Sequence, residues 1–336
     1  MLKEIVPSGI LGIGACIPEE IRKNDFWENI ELVNLPEGRK SPFERIDERR
    51  VFPANMLPSD AEVKAAEVAI KDAGISKDDI DLVMVHSMLQ DEIIPSNASL
   101  VQYKLGLKNA GAWHIDTCCS SFITMVTTAS NLIAMGEFKN ILIVTSVFHS
   151  RILDYSDYLS LYAGDGAGAV VMGQVPEGRG YVASCCNSDG YYHDAFTLAE
   201  RMPLNQKRRR FFEPSPLRPF FTTNPIKTNR VGKNSVDIMQ ELLEKTLKKA
   251  SMNSEDIDMF FSHQPADWAH DAWRDSINIP KEHSYQTFRK YGNLASSSIP
   301  VTLYEAKEKG LLKEGQTLLL ASSGAGENHI AAIIKL

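Results

Sequence analysis

The sequence contains little cysteine, and its spacing excludes two common kinds of site. Five cysteines occur in 336 residues, and no two of them are spaced as Cys-x-x-Cys. An odd number of cysteines without that spacing argues against a disulfide framework and against a zinc site. We therefore expect a protein of the reducing cytoplasm that binds no metal.

The chain also lacks an excess of positive charge and a long apolar run. Its net charge is −7, while 43% hydrophobic residues is an ordinary value for a globular protein. This charge argues against nucleic-acid binding. The apolar run IVPSGILGIGACIP at 5–18 is interrupted by Pro and Gly, and no cluster of cations precedes it. It predicts a strand and not a signal peptide or a membrane span.

An internal repeat dominates the organisation of the chain. KAAEVAIKDAGISKDDIDLVMVH at 64–86 aligns without a gap with ELLEKTLKKASMNSEDIDMFFSH at 241–263, at a constant offset of 177 residues from His86 to His263. Two more pairs keep this offset, 140–146 with 317–323 and 116–121 with 293–298. Three matches at one offset predict a duplicated α/β unit.

The repeat also predicts the domain organisation. We expect an N-terminal half at 1–177 and a C-terminal half at 178–336, each running strand, helix, strand, helix. Residues at about 186–233 match neither copy and are rich in Pro, Phe and Arg. They predict an inserted lid or docking loop. The basic run KRRR at 207–210 is either a solvated loop or a docking site for an acidic carrier protein or a CoA phosphate.

Two adjacent cysteines stand in HIDTCCSSF at 114–122. Adjacent cysteines give poor disulfide geometry. The apolar spacing after Cys119 predicts a helix ending at Gly136, so the pair precedes a helix N-terminus, where the dipole and free amides favour a nucleophilic thiolate. Consecutive helical residues point about 100° apart, so we expect one thiol to face a pocket and the other to be a small buried filler. The alternative is that both are core residues.

Four motifs occur in order along the chain: DTCCSSF at 116–122, GDGAGAVVM at 164–172, HQPAD at 263–267 and YGNLASSSIP at 291–300. Together they resemble the β-ketoacyl-(acyl carrier protein) synthase III family, which are condensing enzymes of the thiolase fold. The resemblance covers nearly the whole chain. It implies an α/β protein whose two duplicated halves form a layered αβαβα arrangement. In the second motif we expect Asp165 to fix the turn rather than to take part in chemistry.

The resemblance also implies the site. Its catalytic residues are Cys119, His263 and Asn293. The oxyanion hole takes the amide of Cys119 and one amide of the SGAG turn at 323–326, which we assign to Ala325. The implied substrate-binding positions are Ile94, Phe122 and Gly324. No cofactor is expected, because the substrates are acyl-CoA or acyl carrier protein thioesters.

These residue types suit a two-step condensation. A thiolate is both a good nucleophile and a good leaving group for acyl transfer, and two amide donors stabilise the tetrahedral oxyanion. His263 and Asn293 would then stabilise the enolate that forms when a β-carboxyacyl thioester loses CO2, and the enolate carbon would attack the acyl group on Cys119. The repeat mates of the catalytic residues, which we expect to be structural relics, are His86, Asp116 and Ser296.

Some positions depart from the ordinary family pattern. Acetyl-CoA-using members hold the adenine between a Trp and an Arg near the N-terminus, and neither falls at the matching positions around SPFERIDERRVF at 41–52. A further CoA-contacting Arg is replaced by Asp157. HQPADWAHDAW at 263–273 and the altered glycine turn resemble the 2-alkylquinolone-forming and the dialkylresorcinol- or cyclohexanedione-forming members of specialised metabolism.

We therefore hypothesise that a longer acyl group on Cys119 is joined to a malonyl or β-ketoacyl thioester in specialised fatty acid or polyketide-type metabolism. Three alternatives remain open. The protein is an ordinary fatty-acid-initiating synthase, an acyltransferase to an alcohol or amine that forms no C–C bond, or a degenerate subunit. The expected partners are acyl-CoA or an acyl carrier protein and a second subunit, in a homodimer or a heterodimer.

Overall fold

The computed structural model describes residues 6–35, 43–92, 94–197 and 221–336. The strands are β1 (Ser8–Cys16), β2 (Glu20–Lys23), β3 (Glu48–Val51), β4 (Leu82–Ser87), β5 (Gly111–His114), β6 (Ile141–Phe148), β7 (Asp165–Gln174), β8 (Gly180–Ser188), β9 (Phe196–Thr197), β10 (Phe221–Thr222), β11 (Met259–Ser262), β12 (Thr317–Gly324) and β13 (Asn328–Lys335). The α-helices are α1 (Pro58–Ala73), α2 (Asn97–Leu105), α3 (Ser121–Ala134), α4 (Pro225–Lys249), α5 (Ala269–Ser276), α6 (Phe288–Tyr291) and α7 (Ser298–Glu308). None of the helices in these residues is long and apolar enough to span a membrane.

Two mixed sheets organise the chain. The first has the strand order β1-β7-β6-β4-β5 and the second has the order β11-β12-β13-β8. In the first sheet β4 runs parallel to β5 and β6, and in the second β11 runs parallel to β12. Strand β6, ILIVTSVF, is buried at every position. Its nearly continuous apolar run follows from this burial, because helices cover both faces of the sheet.

The helices complete five layers. Helices α3 and α7 lie between the sheets, where Phe122 and Leu303 share a core with Met84 of one sheet and Leu320 of the other. Helices α1 and α2 cover the outer face of the first sheet, and α4 and α5 cover the outer face of the second. Burying each of these large apolar side chains contributes about 1.5–3 kcal/mol. The αβαβα layering expected from the resemblance is confirmed.

The two copies of the repeat make the same hydrogen bonds at matching positions. The side chain of Asp81 accepts from Asn140 N at 3.1 Å, and its mate Asp258 accepts from Thr317 N at 2.7 Å. The short helical turn 118–120 before α3 has its mate at 295–297 before α7. The duplication therefore extends from sequence to local geometry.

The predicted boundary between residues 177 and 178 lies in the link between β7 and β8. The ends of the predicted insertion at 186–233 belong to regular elements, since β8 continues to Ser188 and α4 begins at Pro225. The start of α4 is fixed by Asn224, whose side chain accepts from Lys227 N at 3.3 Å, and by proline at the first helical position. The basic run at 207–210 lies outside the described residues.

The close contact between β1 and α1 gives a stability prediction. A Cβ on Gly14 of β1 would overlap the backbone of Ala65 and Ala69 of α1. Gly14→Ala is therefore expected to lower the free energy of unfolding by about 1–3 kcal/mol, measured by urea denaturation, because it overpacks this interface. The matched control is Gly232→Ala in α4, where a Cβ meets nothing within 4 Å. It should raise stability by about 0.5–1 kcal/mol, and equal losses in both variants would contradict this packing argument.

Candidate active site

The turn that carries the cysteine pair is built from local hydrogen bonds. Asp116 Oδ1 accepts from Cys118 N at 2.7 Å, and Cys118 has the left-handed φ of +55°. Ser121 Oγ accepts from Thr117 N at 2.8 Å and donates to Cys118 O at 2.7 Å. These bonds place Cys119 directly before α3, at the positive end of the helix dipole.

The two thiols contact each other. Their Sγ atoms lie 3.9 Å apart, and both residues are partly exposed. The hydrogen bond to Cys119 lowers the pKa of Cys118 to about 7, and the same bond raises the pKa of Cys119. Two thiols so close lose their protons as a coupled pair. The expectation that one thiol is a buried filler is wrong, because Cys118 precedes α3 in a left-handed conformation and the helical angle of about 100° does not apply to it.

Two backbone amides face the thiol of Cys119, its own and that of Ala325. Ala325 follows β12, which packs against the nucleophile turn, and Ser322 Oγ of this strand donates to Cys119 O at 3.0 Å. A Cβ at Gly324 would lie 3.2 Å from Cys119 N and 2.7 Å from Thr117 O, so only glycine permits this approach. The Ala325 amide thus lies beside the Cys119 thiol, and its part in an oxyanion hole stays a prediction.

His263 directly follows β11 and is 1% exposed. Its Nδ1 lies 3.2 Å from Ser298 Oγ. Burial lowers the pKa of His263 to about 3, and the neighbouring His149 lowers it further, against the opposing effect of the Ala295 carbonyl. His263 is therefore a neutral imidazole at physiological pH, which can donate one hydrogen bond and accept another.

Asn293 begins the turn before α7. Its side-chain Oδ1 accepts from Ala295 N at 2.7 Å, while its Nδ2 has no hydrogen-bond partner among the described residues. The amide nitrogen is consequently the group that remains available as a donor. The backbone carbonyl of Asn293 accepts from Gly164 N at 3.2 Å and lies 3.1 Å from His149 Nδ1. Gly164, directly before β7, therefore supports the turn that carries Asn293.

Shared contacts bring the segments that carry these three residues next to one another. His263 N donates to Ala321 O at 2.8 Å, and the next residue on β12, Ser322, bonds the carbonyl of Cys119. Leu294, beside Asn293, packs in the same apolar cluster as Cys119. The nucleophile turn comes from the first copy of the repeat, and the histidine and asparagine come from the second.

The other predicted positions have different surroundings. Phe122 is 1% exposed and lies in the core between the sheets, whereas Ile94 is 85% exposed in the loop after β4. The expected turn at Asp165 is wrong, because Asp165 is the first residue of β7; it accepts from Phe52 N at 3.0 Å and from Ser150 N at 2.9 Å and so ties the segments after β3 and β6 to this strand.

Two residues that support the site were missed from the sequence. His149 behind Asn293 has no motif of its own, and burial lowers its pKa to about 4. Ser298 beside His263 did carry a signal, because it is the repeat mate of Ser121. Like Ser121, which accepts from Thr117 N, Ser298 accepts from the backbone amide four residues earlier, that of Leu294, at 3.3 Å.

Comparison with known proteins identifies the family. The chain matches the family models for 3-oxoacyl-(acyl carrier protein) synthase III at residues 114–190, for the C-terminal part of that enzyme at 247–336, and for the N-terminal domain of thiolase at 47–146. It is 33% identical over 334 residues to the β-ketoacyl-(acyl carrier protein) synthase III of Listeria monocytogenes, covering 98% of each chain. The chain belongs to the β-ketoacyl-(acyl carrier protein) synthase III family. The Bacillus cereus enzyme of this family is 31% identical over 324 residues, which is 95% of each chain.

Solved structures show the same fold. The synthase III of Thermus thermophilus superimposes with a TM-score of 0.85 at 29% identity, over 98% of this chain and 99% of the other. The priming β-ketosynthase of a polyketide biosynthetic pathway superimposes with a TM-score of 0.87 at 24% identity, over 100% of this chain and 98% of the other. The thiolase fold is thus confirmed. Synthase III enzymes are condensing enzymes that act on acyl-CoA and acyl carrier protein thioesters without a cofactor.

Buried neutral histidine makes stability depend on pH. The folded pKa of His149, about 4, is below the ordinary value of 6.5, so the unfolded chain binds the proton more strongly between these values. The stability that the neutral His149 contributes is fully present above pH 6.5 and is lost as the pH falls towards 4. The free energy of unfolding, measured by urea denaturation, should fall between pH 7 and pH 5. This fall should be smaller in His149→Gln than in the unmodified protein, by about 1–2 kcal/mol. Parallel pH curves for the two proteins would contradict this assignment.

Proposed function

We propose that the chain carries an acyl group on Cys119 and joins it by Claisen condensation to a malonyl or β-ketoacyl thioester. One observation carries the proposal. The thiol of Cys119 stands before a helix N-terminus beside two amide donors, and the segments that carry the neutral imidazole of His263 and the available N–H2 group of Asn293 are joined to the same turn by the contacts described above. A site of this kind suits a reaction in which negative charge develops twice on a thioester oxygen.

The two half-reactions use different donors. In the first, the sulfur of Cys119 attacks the acyl thioester, and the amides of Cys119 and Ala325 stabilise the oxyanion until the carrier thiolate leaves. In the second, a malonyl thioester loses CO2, whereas a β-ketoacyl thioester loses the acidic proton between its two carbonyl groups to solvent water. His263 and Asn293 donate to the enolate oxygen. The enolate carbon then attacks the acyl-cysteine, which releases the β-keto product and restores the thiol.

The asparagine favours condensation over simple acyl transfer. Transfer to an alcohol or amine needs a base to take one proton, and the neutral His263 would suffice for this. A second fixed donor beside that imidazole is useful when an enolate must be held. Asn293 has its oxygen occupied by Ala295 N, so it presents its N–H2 group. We therefore prefer C–C bond formation.

The acyl donor is proposed to be a carrier-protein thioester of a longer chain, in specialised metabolism. Trp27 is 3% exposed, its indole N–H donates to Ser160 Oγ at 2.9 Å, and the Arg49 guanidinium lies over its ring at 4.5 Å. This Trp–Arg pair is thus occupied within the fold. Asp157, where a CoA-contacting Arg is expected, is buried and accepts from Thr222 N at 3.1 Å. Neither feature supports an adenine clamp.

An ordinary fatty-acid-initiating synthase is the second candidate. It is favoured by the Listeria enzyme, which is named as a synthase III and covers 98% of this chain at 33% identity. For either function we propose a cytoplasmic dimer that forms through the first half of the chain. The loop after β4, with Ile94 at its surface, would then take part in the substrate site of the partner.

Acyl loading distinguishes the two candidates. The protein is incubated with acetyl to dodecanoyl groups, each presented on CoA and on an acyl carrier protein, and the mass increase is located by fragment mass spectrometry. We expect Cys119 to be loaded fastest by longer acyl groups on the carrier protein, because the Trp–Arg pair is unavailable to adenine. Rapid loading by acetyl-CoA would instead support the initiating function.

Substitution separates the two half-reactions. Cys119→Ala is expected to abolish loading. His263→Ala and Asn293→Ala should still be loaded but should lower condensation by about 10²–10³-fold, because each removes a donor that acts on the enolate. Loading is followed by intact mass and condensation by product formation from malonyl and β-ketoacyl thioesters. The control is His193→Ala, a histidine on the surface. Undiminished condensation in the His263 variant would refute the assignment.

A further inference from the structure

A carboxyl group is buried between α1 and the first sheet. Glu62 is 0% exposed, and its Oε1 accepts hydrogen bonds from the hydroxyls of Ser87 and Ser146. Its Oε2 accepts from Asn97 Nδ2 at 3.0 Å. A carboxyl group removed from water is costly unless its oxygens are hydrogen-bonded, and here both oxygens are. We call Glu62 and its three side-chain donors the carboxyl network.

The second copy of the repeat shows that helix packing does not require this carboxyl group. At the offset of 177 residues the mate of Glu62 is Met239 of α4, which is also 0% exposed and packs in the apolar core outside the second sheet. The neighbours of Glu62 on the buried face of α1 are apolar as well, among them Ala61 and Ala65. An apolar side chain is thus sufficient at this position, and the carboxyl group requires another explanation.

The two serines of the network lie at paired positions of neighbouring strands. Ser87 ends β4 and is in register with Ser146 of β6. Successive residues of an extended chain point to opposite sides. The residues that follow the serines, Met88 and Val147, accordingly pack in the apolar cluster that also contains Cys119. The carboxyl group therefore joins the two strands directly behind the apolar wall beside the thiol.

The third donor of the network fixes the loop after β4. Asn97 is the first residue of α2, its Oδ1 accepts from Asp91 N at 2.9 Å, and its backbone amide donates to Gln90 Oε1 at 3.1 Å. Asp91 in turn accepts from Ser59 N of α1 at 3.0 Å. These bonds tie to α1 the loop that carries the exposed Ile94.

The charges around the network are accounted for. Among the described residues the charged neighbour of Glu62 is Asp91, which disfavours a second negative charge. Lys104 of α2 lies beyond Ser59, with its Nζ 2.6 Å from Ser59 Oγ, and pairs with Asp60 at 2.7 Å. Burial raises the pKa of Glu62 to about 7, against the opposing effect of its three hydrogen bonds. Both protonation states of Glu62 are therefore populated near neutral pH.

We propose that Glu62 is a positioning residue for acyl-chain selection. Through the carboxyl network it holds Met88 and Val147 beside Cys119, and it holds the loop that carries Ile94. This inference rests on the proposed function, in which Cys119 carries the acyl group. An ionised carboxyl group accepts from all three donors, whereas a protonated one has a hydrogen on one oxygen and disturbs at least one of these bonds. The network is thus complete in the ionised form.

The first test is Glu62→Gln, which keeps the size and one acceptor oxygen but does not titrate and turns an N–H2 group towards Asn97 Nδ2. Second-order rate constants for the loading of Cys119 by acetyl, octanoyl and dodecanoyl carrier-protein thioesters are measured by intact mass. The ratio between the best and the poorest chain length is expected to fall about tenfold, because a mobile wall makes weaker contact with the preferred chain. Loading with an unchanged ratio would overturn the proposal.

Two further variants support this test. The matched control is Glu67→Gln, the same substitution on the exposed side of α1, which should leave the chain-length ratio as it is in the unmodified protein. Ser146→Ala removes one donor of the network and leaves Glu62 in place. It should lower the ratio in the same direction as Glu62→Gln, so the proposal stays testable if the glutamine variant does not fold.

The pH profile separates positioning from a merely structural role. In the unmodified protein the chain-length ratio should rise between pH 6 and pH 8 as Glu62 ionises, and in Glu62→Gln it should stay constant. Ionisation of the thiols affects every acyl group equally and cancels in the ratio. Glu62→Asp retains a titrating carboxyl group and should restore the pH dependence. An equal rise in the unmodified protein and in Glu62→Gln would contradict the role of Glu62.

Hydrogen exchange gives a readout without substrate. Amides of residues 88–97 should exchange about tenfold faster in Glu62→Gln than in the unmodified protein, because the bond from Asn97 to a charged acceptor is lost. Exchange there should be unchanged in Glu67→Gln. Failure of the proposed function has a different signature, since the unmodified protein would then take up no acyl group on Cys119. Loading without chain-length preference, or exchange equal in all three proteins, would instead refute the positioning role.

Discussion

The site depends on one hydrogen bond, from Cys118 N to the side chain of Asp116. A non-glycine residue in the left-handed region costs roughly 1–2 kcal/mol, and a short carboxylate or amide two residues earlier is what makes it tolerable. Because Cys118 adopts this conformation, the chain can leave β5 and enter α3 within a few residues. Cys119 then stands at the first free amides of the helix, where its sulfur can hold a negative charge.

The same turn occurs twice, and the two copies pack against each other between the sheets. Each copy places its histidine at the end of a buried strand, His86 after Val85 and His263 after Ser262. Duplication alone would give two equivalent sites. The two copies differ at the matching positions 119 and 296, since Cys119 is partly exposed whereas Ser296 is 1% exposed and contacts His86.

Much of this arrangement could be predicted from the sequence. The constant offset of the repeat predicted the duplicated α/β unit with its matching segments, and the family resemblance implied the layers. The contact between the two thiols could not be predicted, since apolar periodicity reports helical positions and Cys118 is not helical. His149 was missed for a related reason. A buried histidine that bonds a backbone carbonyl leaves no pattern in the residues around it.

The difference between Asp116 and Asn293 explains how two equivalent positions acquire different chemistry. Both side chains hold their turn through an oxygen at 2.7 Å from the amide two residues later. The second group is a carboxylate oxygen in one and an N–H2 donor in the other. The carboxylate of Asp116 accepts a hydrogen bond from His86, whereas burial keeps His263 neutral. Replacing one oxygen by nitrogen thus leaves Asp116 with acceptors only and gives Asn293 a donor that can bond an enolate oxygen.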